Sequence, residues 1–91
     1  MGAEILEKKG AIRFLTYLLN QPGHSTIITK AVKDLDVGQT ALYSTIYKLL
    51  DAGLIREERS DTVPFTRRLI LTDKGRKVAE FLSRIEEVLG E

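Results

Sequence analysis

At 91 residues the chain is long enough for one small domain, and its 43% apolar content lies in the globular range. It contains no cysteine, which excludes disulfide frameworks and thiolate metal sites, and no apolar run approaches the roughly 18 residues of a membrane-crossing helix. The formal net charge is only +1, but it is unevenly spread: residues 30–77 carry ten bases against seven acids, and residues 78–91 carry one base against four acids. A mildly basic centre with an acidic end fits a nucleic-acid-facing middle turned away from its C-terminus. The first residues lack an apolar stretch of signal-peptide length, so the expectation is a cytoplasmic protein with one domain over residues 1–91.

Residues 4–20 predict the first helix. Ile5, Ile12, Leu15 and Leu19 fall on one side with Phe14 and Leu18 beside them, and Glu4 and Lys8 form a favourable i,i+4 pair. Gly10 costs about 1 kcal/mol relative to alanine inside a helix. It marks either the start of the domain proper or a close approach to another helix. Asn20-Gln21-Pro22-Gly23 is a stop, followed by the short polar segment His24-Ser25-Thr26. With a single histidine and no cysteine, no metal site is expected. Ile28, Ala31, Val32 and Leu35 then step as the buried face of a second helix over residues 27–35, with Thr26 as its expected N-cap. Asp36-Val37-Gly38 makes the turn out of it.

The third helix, residues 39–52, is the most informative stretch. Leu42, Ile46, Leu49 and Leu50 form one apolar stripe. The opposite face carries Thr40, Tyr43, Ser44 and Tyr47, with Gln39 and Lys48 at its edges and no carboxylate before Asp51. A merely solvated face would usually carry Glu–Lys pairs. Short polar and aromatic donors suit the major groove, where a helix reaches base edges and phosphates. Against this, Tyr43 and Tyr47 could be half-buried packing rings. Gly53 can take the left-handed conformation that ends the helix.

After Gly53 the period changes to that of strands, over residues 54–59 and 66–71, joined by the loop of residues 60–65. Arg59, Arg67 and Arg68 gather near the loop end. They could lie along a phosphate backbone or in a minor groove, or Arg67 or Arg68 could pair across the strands with Glu57 or Glu58. Val63 and Phe65 in the loop either fold back on the core or form a contact surface. The last helix, residues 73–89, is expected to be capped by Thr72. Its Val78, Leu82, Ile85 and Leu89 step by 4, 3 and 4, with Phe81 and Val88 alongside. That is more apolar surface than a solitary domain of this size needs, so residues 72–90 are the candidate dimerisation element. The candidate dimer surface is Ile5, Ile12, Val78, Phe81, Leu82, Ile85 and Leu89. The other reading packs the whole stripe on the first helix of the same chain.

The resulting order is α-(β)-α-α-β-β-α, mainly α with a small β-hairpin. On the residues Leu35-Asp36-Val37-Gly38, the helix running through Thr40 to Leu50, its exit Asp51-Ala52-Gly53-Leu54-Ile55, and the lead-in Leu71-Thr72-Asp73-Lys74-Gly75-Arg76, the chain resembles a winged helix-turn-helix domain of the MarR/PadR-like kind found in bacterial and archaeal transcription regulators. Asp36 stands where that pattern usually has glycine, and Gly38 where it usually has an N-cap serine. The resemblance implies a small first strand near residues 24–26 and binding of double-stranded DNA by a homodimer. It carries DNA contact over to Gln39, Thr40, Tyr43, Ser44, Tyr47 and Lys48 on the recognition helix, and to Arg59, Arg67 and Arg68 on a wing over residues 56–71. No cofactor is expected. No Ser/His/Asp set, metal-ligand cluster or glycine-rich phosphate loop points to an enzyme. The alternative is a winged-helix module for protein–protein contact without specific DNA binding.

Overall fold

Gly10 decides how the chain begins. The computed structural model describes residues 3–62 and 66–91, so the expectations for Val63 and Phe65 lie outside the described residues. A short 3-10 segment, Ala3–Glu7, precedes the first α-helix, α1 (Ala11–Leu19). The single helix expected over residues 4–20 is therefore broken, and Gly10 breaks it, with φ at +82°. A Cβ on Gly10 would stand 3.2 Å from both methyl groups of Val37. A close approach is present at Gly10, but not to another helix as expected: the neighbour is Val37, in the turn between the second and third helices.

α1 buries Ala11, Phe14, Leu15 and Leu18. Pro22 and Gly23 then redirect the chain into strand β1 (Ser25–Ile27), and α2 spans Ile28–Asp34. Thr26 does not cap α2. It lies inside β1, paired with Leu69 and only 3% exposed, and Ile27 occupies the cap position without a side-chain cap bond. Strand pairing has drawn the threonine into the sheet, where its β-branched side chain packs well. The Tyr17 hydroxyl donates to Asp34 Oδ2 at 2.6 Å and ties α1 to α2.

Helix α3 (Gln39–Asp51) buries Leu42, Thr45, Ile46 and Leu49, with Leu50 half-buried beside them. The buried Thr45 is satisfied by donating to the Lys9 carbonyl at 2.6 Å, which fastens α3 under the start of α1. α3 ends in a Schellman arrangement. Gly53 takes φ +74°, its N–H bonds to the Leu50 carbonyl and that of Leu54 to the Leu49 carbonyl, both at 3.1 Å.

Strands β2 (Ile55–Arg59) and β3 (Arg67–Leu71) form an antiparallel hairpin, and β1 adds to the far side of β3, giving a three-stranded sheet in the order β1-β3-β2. The register sets Ile55 opposite Leu71, Glu57 opposite Leu69 and Arg59 opposite Arg67. Ile55, Leu69 and Leu71 close the core over Phe14, Leu15, Leu18, Leu42, Ile46 and Leu49.

The final helix, α4 (Asp73–Leu89), is capped at its own start and locked to the exit of α3 by two side-chain hydrogen bonds. Thr72 caps α4 by accepting from the Gly75 N–H at 3.0 Å, and its hydroxyl donates to the Gly53 carbonyl at 2.6 Å. Lys74 donates to the Ala52 carbonyl at 3.1 Å. At Gly75 a Cβ would fall 1.8 Å from the Leu54 carbonyl oxygen, so no larger residue fits while the two backbones cross here. The two short segments 51–55 and 71–76 are thus a single structural joint.

Ala79 and Leu82 complete the core, whereas the far half of α4 runs beyond it, consistent with a molecule measuring 45 × 25 × 25 Å. Leu82, expected on a dimer surface, is buried in its own chain, and Ile5 and Val78 are half-buried against the same core. The rest of the expected surface is open: Ile12, Phe81, Ile85 and Leu89 are exposed, joined by Val88.

Candidate nucleic-acid interface

α3 turns two chemically distinct faces outward and inward because its apolar residues recur every three to four positions. The outward face holds Gln39, Thr40, Ser44, Tyr47 and Lys48, all exposed, while Tyr43 is half-buried. The two tyrosines therefore separate. Tyr43 packs against the core, and Tyr47 stands 52% exposed. Among the described residues, the side chains of Gln39, Thr40, Ser44 and Lys48 make no hydrogen bond or ion pair within the chain. Two pairs of charges on the other helices are joined, Lys30 with Asp34 on α2 and Arg76 with Glu80 on α4, whereas Lys33, Lys77 and Arg84 make no ion pair among the described residues. The first turn of α3 also has no side-chain cap, since Gly38 occupies the N-cap position. Its leading N–H groups, with the positive end of the helix dipole, remain available to an anion.

The hairpin meets this face along a groove lined by Ile27, Ile28, Thr29, Tyr43, Thr66 and Arg67. The groove joins the start of α2, the middle of α3 and the start of β3. Thr29 and Thr66 escaped the sequence reading because neither belongs to a periodic pattern; only the fold brings them beside Tyr43 and Arg67.

The three arginines take different places. Arg67 donates through Nε to Glu57 Oε2 at 3.1 Å, and Arg59 through Nε to Glu57 Oε1 at 2.7 Å. The cross-strand pairing considered for Arg67 is present, as a diagonal contact, because Glu57 itself faces Leu69. Arg67 first and Arg59 second hold the Glu57 carboxyl below its ordinary range. In return Glu57, with a smaller share from the Tyr47 phenol, raises the already high pKa of Arg67. Arg68 is on the other face of the sheet, donating to Ser25 Oγ at 2.9 Å. The structure thus brings Tyr43, Tyr47 and Arg67 together beside α3, joins Arg59 to Arg67 through Glu57, and sets Arg68 on the other face of the sheet.

No family model matches the chain, and no curated protein matches it. Solved structures do. A transcriptional regulator homologue from Pyrococcus horikoshii superposes with a TM-score of 0.79 at 24% identity, over 97% of this chain and 87% of that one. A candidate MarR-family transcriptional regulator from Porphyromonas gingivalis gives 0.82 at 19% identity, over 98% and 85%. A candidate HxlR-family transcription factor from Thermoplasma volcanium gives 0.81 at 20% identity, over 99% and 79%. The fold is a winged helix-turn-helix. α2 and α3 with the turn at Asp36-Val37-Gly38 are its helix-turn-helix, and the β2–β3 hairpin is the wing. Among the described residues, no helix is long and apolar enough to cross a membrane.

Proposed function

We propose that the chain is a DNA-binding transcription regulator of the cytoplasm, acting as a homodimer, with α3 in the major groove and the wing on the adjoining backbone or minor groove. The observation that carries this reading is the outward face of α3. A helix held by its buried side presents an amide, hydroxyls, a phenol and an ammonium group, and among the described residues the side chains of Gln39, Thr40, Ser44 and Lys48 make no hydrogen bond or ion pair. Gln39 has the donor–acceptor pair that matches an adenine edge, the Thr40 methyl suits a thymine methyl, and Tyr47 and Lys48 reach phosphate. The winged-helix structures from transcription regulators support the same assignment. The homodimer is supported by Phe81, Ile85, Val88 and Leu89, an apolar stripe exposed on the projecting half of α4. A second copy would bury it, and with it a second recognition helix would be set at a fixed spacing from the first.

The test is a titration of random-sequence duplex DNA at two salt concentrations, with the oligomeric state measured in the same buffers. Binding by a dimer that weakens steeply with salt is expected, because counterions are released as phosphates are neutralised. A folded protein that fails to bind at low salt overturns the reading.

A further inference from the structure

Opposed residues of an antiparallel pair share a face, and alternate residues return to it. Glu57, Arg59 and Arg67 therefore stand on the same side of the hairpin as Ile55, Leu69 and Leu71, the side turned toward the core and α3. Both oxygens of the Glu57 carboxylate are engaged, Oε1 by Arg59 and Oε2 by Arg67. The Glu57 side chain is only 17% exposed, whereas that of Arg59 is 70% exposed. On the opposite face Arg56 and Glu58 form a one-to-one pair at 3.4 Å, both well exposed. A pair of that kind contributes little. The two acids are neighbours in sequence and differ in what they hold.

We propose that Glu57 is a specificity-determining residue that sets the charge the wing offers to DNA. The inference rests on the DNA-binding reading above. Two guanidinium groups sharing one carboxylate present one net positive charge where the two arginines alone would present two. A phosphate approaching Arg67 meets Glu57 at the same site and is repelled by it. Sequence-independent affinity is governed by how many phosphates are neutralised. Glu57 lowers that component, so the base contacts of α3 decide a larger share of the total. Glu57 does this without touching DNA itself.

The experiment compares the unmodified chain with Glu57→Gln and Glu58→Gln, each titrated with random-sequence duplex at about 50 and 200 mM salt. The two variants remove the same charge from adjacent positions. Glu57→Gln is expected to bind roughly threefold or more tighter than Glu58→Gln at the lower salt, and to steepen the salt dependence by about one phosphate contact. An equal gain in the two variants would reduce the effect to net charge and overturn the proposal. Salt-dependent binding by the unmodified chain, unchanged in Glu57→Gln, overturns this inference and leaves the DNA-binding reading standing; no binding by any of the three overturns both. Should Glu57→Gln lose its hairpin, the arginine Nε–H resonances of the unmodified chain decide. Those of Arg59 and Arg67 are expected to move when duplex is added to saturation, and resonances that stay in place overturn the proposal.

Discussion

Single residues carry constraints out of proportion to their size. Gly75 is the clearest. Replacing it by alanine forces the first turn of α4 off the Leu54 carbonyl, and a loss of about 3 kcal/mol is expected by denaturant titration, as for severe overpacking. In the sequence Gly75 is only one glycine in a helix start, and the tight crossing that requires it joins segments far apart in the chain. Glu57 has a consequence for acid stability. Its pKa is lowered from the ordinary 4.5 on folding, chiefly by Arg67 and then by Arg59. A carboxylate so lowered stabilises the fold above its unfolded value, and that contribution is lost as pH falls through the folded value. Thermal unfolding of Glu57→Gln is therefore expected to depend less on pH below about 4.5 than that of the unmodified chain. The pairing was visible in the sequence as one of two alternatives for Arg67, but not the sharing of one carboxylate by two arginines. That sharing depends on the exact hairpin register.

At the scale of elements, the helices were legible wherever an apolar period ran uninterrupted, as in Leu42, Ile46 and Leu49 on α3. They were misread where a local feature outranked the period. Gly10 splits the first helix because its positive φ ends one turn and starts another. Thr26 looked like a cap because threonine is a good one, but pairing with Leu69 claims it for β1, and a three-residue strand leaves too short a pattern to detect. The joint between α3 and α4 was visible as two motifs whose meeting only the structure shows. Thr72→Ala removes both the cap bond to Gly75 and the bond to Gly53, and is expected to cost about 1–2 kcal/mol of stability. On the outward face of α3, Tyr47→Ala is expected to weaken duplex binding by roughly 1–3 kcal/mol. Its unfolding free energy is expected to stay within about 0.5 kcal/mol, because the ring is half exposed and contributes little to the core. An equal loss of stability would assign Tyr47 to packing instead.

Across the whole molecule, the amino-acid pattern indicated surplus apolar surface on the last helix without showing how it divides. Ala79 and Leu82 are buried in the core, whereas Phe81, Ile85, Val88 and Leu89 stay exposed. Ile85→Asp is expected to give a folded monomer by sedimentation, with weaker binding to a duplex that carries two half-sites, since a dimer binds both at once. In the proposed complex DNA lies against the outward face of α3 and the groove beside the wing. Backbone amide resonances of the labelled protein, followed during titration with duplex at low salt, report that placement. The largest changes are expected on residues 38–48, on Thr29, and on Arg59, Thr66 and Arg67, while Phe81 to Leu89 stay unchanged. Changes confined to α4, with α3 and the wing unmoved at saturation, would contradict that placement.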